Sequence, residues 1–190
     1  MPKAGYITAS RFKDVMTNGR GKDSFGATAT TYALEVILSG HGIEKPETNA
    51  PSLEWGKENE YIAIKRYEEE QFISVQPSQW IEHPDISGVG GTPDGFVDLD
   101  GIIEVKCPHN PVNHYLNWKS AEQYADYMYQ IQGYLWMSGR KWCDFISYYP
   151  TPVGCVIPDL VIHRIERDEA VIADLEARII KFKELIESLR

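Results

Sequence analysis

The sequence predicts an α/β fold: a central mixed β-sheet flanked by helices. Three observations carry that expectation. Helical periodicity fills much of the first 71 residues, and short segments rich in Val, Ile and Phe cluster between Phe72 and Lys106. A long amphipathic stretch then precedes two further strands and a last helix. With 190 residues, of which 43% are apolar, 25% charged and 12% aromatic, the chain reads as one globular domain, 1–190, with a sizeable core.

Along the chain, Thr8 to Met16 reads as a short helix with Phe12, Val15 and Met16 on one side. Asn18 to Gly26, with three glycines, reads as a mobile loop, and Ala27 to Ser39 as a second helix stopped by Gly40 and Gly42. Ser52 to Gln71 makes a third. Strands are expected at Phe72 to Gln76, Gln79 to His83, Gly95 to Leu99 and Ile102 to Lys106. Tyr124, Met128, Ile131 and Leu135 give a helix from Ala121 to Ser138 its buried stripe, and Gly139 ends it. Strands at Cys143 to Tyr149 and Leu160 to Ile165 precede a helix opened by Asp168.

The formal net charge is −9, which at first argues against a basic surface for nucleic acid. The charge is uneven, however: residues 1 to 22 hold Lys3, Arg11, Lys13, Arg20 and Lys22 against Asp14 alone. A ligand feels the local field rather than the sum, so this segment is the expected anion-binding face. Three cysteines without CxxC spacing point to a reducing compartment, the cytoplasm. No apolar run is long enough to span a bilayer.

The chemistry concentrates in residues 90 to 108, GGTPDGFVDLDGIIEVKCP. They read as a β-hairpin. A three-residue turn, Leu99-Asp100-Gly101 with Gly101 left-handed, opposes Asp94 to Lys106 and Phe96 to Glu104. Asp94, Glu104 and Lys106 then share one face, with Val97, Leu99, Ile103 and Val105 on the other. Two carboxylates and a lysine at a sheet edge suit Mg²⁺, which prefers oxygen ligands and needs few from the protein. Such an ion acidifies water and neutralises charge on a phosphodiester. On the third helix, Glu60 falls in a stripe with Leu53, Gly56, Ala63, Ile64 and Tyr67, where a carboxylate needs a cation. Gln130 and Gln132 flank the stripe of the long helix, where their amides suit either a solvated helix edge or a metal-bound water or phosphate.

These segments resemble the phage lambda exonuclease family of viral recombination nucleases, within the PD-(D/E)xK superfamily. The resemblance runs through Gly5-Tyr-Ile-Thr-Ala-Ser10, Trp55-Gly-Lys-Glu-Asn-Glu60, Thr92-Pro-Asp-Gly95 and Glu104-Val-Lys-Cys-Pro108. It continues through Gln130-Ile-Gln132 with Trp136, and Ile165-Glu-Arg-Asp168. It implies a restriction-endonuclease-like core, with Mg²⁺, two ions in number and replaceable by Mn²⁺, held by Asp94, Glu104 and the main-chain carbonyl of Val105. It implies that Lys106 positions the nucleophilic water and that Glu60 and Gln130 complete the site. It further implies 5′→3′ digestion of one strand of duplex DNA from an end, by a toroidal homotrimer that leaves 3′ overhangs for recombination with a single-strand annealing protein. By the same resemblance Ser10 and Thr92 contact a 5′-phosphate, Lys3 clamps it and Leu53 wedges the strands apart. Two departures stand out: the family's longer N-terminal segment is missing, and the clamp is Lys rather than a bidentate Arg.

Other motifs are read structurally. Cys107, His109 and His114 lack zinc spacing, and three cysteines fall short of an iron–sulfur cluster. Gly19-Arg-Gly-Lys22 is not a P-loop; a DNA-entry loop and plain disorder stay equally open for it. The tyrosines of the long helix read as packing, and Glu68-Glu69-Glu70 as a solvated helix end. A restriction-like endonuclease and a catalytically silent DNA-end-binding module are the competing functions.

Overall fold

Strands of two to seven residues pair into two sheets, which helices cover. The computed structural model describes residues 3–21, 24–43, 45–46, 50–120 and 125–190. The first elements are β1 (Ile7–Thr8), a 3₁₀ turn (Ala9–Arg11), α1 (Phe12–Met16), α2 (Ala27–Gly40) and α3 (Pro51–Gln71). Then come β2 (Val75–Pro77), β3 (Ile81–Glu82), β4 (Val89–Gly91), β5 (Gly95–Val97) and β6 (Gly101–Lys106). The chain continues through α4 (Pro111–Lys119), α5 (Ala125–Ser138), β7 (Trp142–Tyr148), β8 (Leu160–Glu166) and α6 (Glu169–Leu189). The small sheet runs β1-β4-β3 and the large one β2-β5-β6-β7-β8, with β6 and β7 parallel and its other pairs antiparallel. This is the expected mixed sheet flanked by helices.

Alternation along β6 and β7 divides the core in two. Ile102, Cys143 and Phe145 face one way, into a cluster with Phe12 of α1, Ile131 and Leu135 of α5, and Leu175 and Phe182 of α6. Ile103, Val105 and Ile146 face the other, against Ala63 and Tyr67 of α3. Each Val, Leu, Ile or Phe among them, fully buried, contributes roughly 1.5–3 kcal/mol.

The hairpin register differs from expectation by one step of two residues. Gly95 pairs with Ile103 and Val97 with Gly101, so the turn is Asp98-Leu99-Asp100 and Asp98, not Gly101, is left-handed (φ 46°). The reason lies in the neighbouring strand. A Cβ at Gly101 would fall inside the Trp142 ring, so this glycine is needed within β6 for close approach. Arg140 secures the turn, donating to the carbonyls of Val97 (3.3 Å), Asp98 (3.0 Å) and Gly101 (2.8 Å). A shift of two keeps every side chain on its expected face, but Asp94 now stands opposite Glu104 rather than Lys106, and Leu99 lies exposed in the turn.

Further departures are local. Ile7 and Thr8 are a strand, because Thr8 pairs with Gly90 and its N–H donates to the Tyr32 hydroxyl (2.8 Å). The Gly-rich loop is pinned at both ends: Asn18 bridges to Phe25, and Arg178 of α6 donates to the carbonyls of Val15 (3.0 Å) and Ser24 (3.0 Å). Glu68 accepts from the Val75 N–H (2.8 Å) and fixes the start of β2. Helix α4 was not expected, although Asn110 caps it through the Val112 N–H (3.0 Å) and Pro111 opens it. Lys22 and the beginning of the long helix, with Tyr124, lie outside the described residues.

Candidate active site

Strand β6 carries the site, because its even-numbered side chains turn toward α5. Glu104 is 1% exposed, and its Oε1 accepts from Lys106 Nζ and from Gln130 Nε2 (2.7 Å). Its Oε2 is buried with no hydrogen-bond partner among the described residues. Asp94, just before β5, accepts the Val105 N–H through Oδ2 (2.6 Å). Val105 thus gives its N–H to Asp94 and its side chain to the α3 core.

The electrostatics are unrelieved. Burial and then the Glu104 charge push the Asp94 carboxyl well above the carboxylate range, against Lys106 and the Val105 N–H. Lys106 is held above its ordinary value: burial opposes the charge, but Glu104 and Asp94 outweigh it. Its Nζ also lies 5.0 Å from the Tyr127 ring centroid.

Asp144 shows what a satisfied buried carboxylate looks like in the same sheet. It is 2% exposed, and it receives Arg164 on both oxygens (2.8 Å each) and the Tyr67 hydroxyl (2.6 Å). Glu104 by contrast leaves one oxygen bare beside a second carboxylate that burial disfavours. A bare buried oxygen costs free energy, and a hard cation between the two acids removes that cost. Among the described residues no three His, Cys, Asp or Glu gather as ligands. The acids brought together are thus Asp94 and Glu104, and so small a set suits an ion that retains several waters.

Glu60 departs from its expected place. It is exposed, and Asn59, Ala63 and Tyr67 form the buried stripe of α3, with Asn59 Nδ2 donating to the Trp55 carbonyl (2.9 Å). A helix has 3.6 residues per turn, so Asn59 continues the Ala63–Tyr67 row and Glu60 falls to the rim. There it still senses the centre, since partial burial and the Glu104 charge raise its pKa against Lys106. Gln132 serves the fold instead, donating to the Glu166 carbonyl (2.9 Å) and accepting the Asp168 N–H (2.9 Å). His114 is likewise structural, held between Ser147 Oγ (2.9 Å) and the Pro158 carbonyl (2.8 Å).

Two cavities open on the surface, and the first of them reaches this arrangement. One, of about 540 Å³, begins at Lys106 and runs past Cys107, His109, Asn113 and Tyr127. The other, of about 640 Å³, is lined by Lys3, Ser10, Arg11, Tyr32 and Lys45. Lys3 and Ser10 thus share one cavity. Thr92 is exposed just beyond β4, and Leu53 is 52% exposed on the first turn of α3.

The basic surplus of the first 22 residues is largely cancelled in space. Lys3 pairs with Glu82, Arg11 with Asp14 and Glu35, and Lys13 with Asp126 (2.6 Å). Three of those acids come from distant parts of the chain, which a linear count of charge does not register. Glu82 is held firmly: it also receives the Trp80 indole N–H (3.0 Å) and the Tyr6 hydroxyl (3.2 Å). Sequence reasoning missed Glu82 and also Tyr134, which receives Gln130 Nε2 at 3.1 Å. The i to i+4 spacing of Gln130 and Tyr134 was the available signal.

Comparison with known proteins places this chain beside nucleases of viral recombination. Residues 2–141 match the family model described as the YqaJ-like viral recombinase domain. An alkaline exonuclease, LHK-Exo, from Laribacter hongkongensis is 34% identical, with 98% of this chain and 90% of that chain covered and a TM-score of 0.86. A phage related exonuclease from Haemophilus somnus 129PT, 20% identical over 97% of this chain and 94% of that chain, shares the fold with a TM-score of 0.79. LHK-Exo is also known in complex with dAMP. No curated protein matches the sequence.

Proposed function

The chain belongs to the YqaJ-like viral recombinase family, and from that premise we propose a Mg²⁺-dependent exonuclease that digests one strand of linear duplex DNA 5′→3′. The product is a 3′ single-stranded overhang for recombination by strand annealing. That the chain is a nuclease follows from its family and its alkaline exonuclease neighbour; polarity, cation and product are the proposal. One observation carries it: the bare Oε2 of Glu104 beside the strained Asp94 carboxyl, with Lys106 and Gln130 on the other oxygen.

Asp94, Glu104 and the Val105 carbonyl would hold Mg²⁺, as two ions that Mn²⁺ can replace. Bound there, the cation neutralises phosphodiester charge and makes water a better nucleophile at neutral pH. Gln130 fixes the rotamer of Glu104. Lys106, charged throughout the working pH range, orients the attacking water or meets the phosphoryl oxygens as negative charge grows on them. Glu60 completes the acidic rim. Lys3, Ser10 and Thr92 hold the 5′-phosphate, and Leu53 stands where the strands part. The quaternary reading is a homotrimeric ring working with an annealing protein in the cytoplasm of a bacterial host. No helix among the described residues is long and apolar enough to cross a membrane.

The test is digestion of linear duplex labelled at either end, with 5′-phosphate or 5′-hydroxyl ends, beside closed circular duplex, with Mg²⁺ or with chelator. Metal-dependent release from the 5′ end with circles left intact is expected. Cleavage of circles would replace this reading with an endonuclease, and no release from any substrate would leave a DNA-end-binding module.

A further inference from the structure

Asp94 lies in no strand. It ends the link Thr92-Pro93-Asp94 between β4 of the small sheet and β5 of the large one. A cation site made from Asp94 and Glu104 is only as well defined as that link. On one side Ser78 Oγ donates to the Pro93 carbonyl (2.7 Å). On the other, the Tyr134 hydroxyl of α5 donates to the Thr92 carbonyl (3.0 Å).

The same hydroxyl accepts from Gln130 Nε2 (3.1 Å), whose other hydrogen goes to Glu104 Oε1 (2.7 Å). One oxygen atom thereby joins the segment that bears Asp94 to the amide that orients Glu104. The ring is 3% exposed and has been given room: a Cβ at Gly91 would lie 2.7 Å from Tyr134 Cε1 and 3.0 Å from the Ala9 Cβ. Burial, with the Glu104 charge next, keeps the phenol protonated far above its ordinary range, so it remains a donor in alkaline solution.

We infer that Tyr134 is a positioning residue: its hydroxyl sets the spacing of the Asp94–Glu104 pair and so the affinity of that pair for a divalent cation. The inference rests on the proposed cation site and adds a residue to it. Tyr134→Phe keeps the ring and its packing while removing the one atom common to both halves.

The experiment is Mn²⁺ binding by isothermal titration calorimetry on the DNA-free protein, together with the Mg²⁺ dependence of digestion. Tyr134→Phe should bind Mn²⁺ about tenfold more weakly, the scale of one lost hydrogen bond, and saturating Mg²⁺ should largely restore kcat. Gly91→Ala, which pushes the ring aside but leaves the hydroxyl, should weaken binding in the same direction. Ile131→Val, a buried change elsewhere in α5, should lower the melting temperature and leave Mn²⁺ affinity unchanged.

Wild-type affinity in Tyr134→Phe, or an equal loss in Ile131→Val, would reduce Tyr134 to ordinary core packing. If the wild-type protein itself bound no divalent cation, the cation site would fall and this inference with it. Those two failures are distinguished by the wild-type titration alone.

Discussion

Gln130 and Lys106 both donate to the same oxygen of Glu104, so the donors crowd one edge of the carboxylate and leave its other edge bare. This one-sidedness separates Glu104 from the satisfied Asp144 on the adjacent strand β7. It also makes Lys106 the residue whose loss is the most informative.

Lys106→Ala should lower digestion of end-labelled linear duplex by about 100-fold or more, the usual scale for removing a charged group at a reacting centre. Circular dichroism should show the fold retained, since the lysine side chain is not part of either core cluster. Lys106→Arg should recover little, because a planar fork does not replace a compact ammonium. Full activity in Lys106→Ala would remove the lysine from the mechanism.

Asp94→Asn should inactivate the enzyme and stabilise it. The folded-state pKa of Asp94 lies above its ordinary 3.8, so its contribution to stability is complete below the unfolded value and is lost as pH rises through the folded one. At pH 8, without divalent cation, the wild-type protein carries the whole cost. Melting curves in chelator should place Asp94→Asn a few degrees above wild type at pH 8, with the gap closing at pH 4. A lower melting temperature for the variant at pH 8 would contradict the strain assigned to this pair.

Glu82→Gln bears on the choice of DNA end. Glu82 occupies Lys3 before any phosphate arrives, and both side chains are about half exposed, so the competition is modest. The ratio of digestion rates for 5′-phosphate over 5′-hydroxyl ends should rise about threefold in Glu82→Gln, and Lys3→Ala should abolish that rise. An unchanged ratio would place Lys3 outside phosphate recognition.

His83 gives a pH dependence remote from the carboxylates. Its Nδ1 accepts the N–H groups of Asp85 (3.1 Å) and Ile86 (2.9 Å), which protonation would turn into donor facing donor. Burial holds its pKa below 6.5 against the pull of Asp85 and Glu176. Stability from this group is therefore present above 6.5 and lost as pH falls through the depressed value. The melting temperature should drop between pH 6.5 and 5, and His83→Asn, which keeps an acceptor without the titration, should flatten that drop.

Much of the fold was legible because periodicity reports burial directly. The two-residue alternation around Ile102 to Lys106 placed the three charged residues on one face although the turn was misjudged, since register errors of two preserve parity. The role of Gly101 was hidden because its reason, the Trp142 ring, lies in a strand 41 positions later. Glu60 was misplaced for a different cause. In the middle of α3 the apolar stripe is sparse, and the polar Asn59 fills it by donating to the Trp55 carbonyl one turn earlier. The family resemblance read from six short motifs is borne out, and the Asp94 and Glu104 motifs meet beside Gln130 of α5.

Arg178 carries one more consequence. From the last helix it reaches back to the carbonyls that bound the first loop, while the family's signature ends at residue 141. The stretch by which this protein is recognised is therefore shorter than the stretch that can stand by itself. Expressed alone, residues 2–141 would lack β7, β8 and α6, bare both cores and leave three backbone carbonyls without their guanidinium. Such a fragment should be insoluble or unfolded. Heredity marks the longer part of the chain, residues 2–141; the boundary of the folding unit is drawn by the rest.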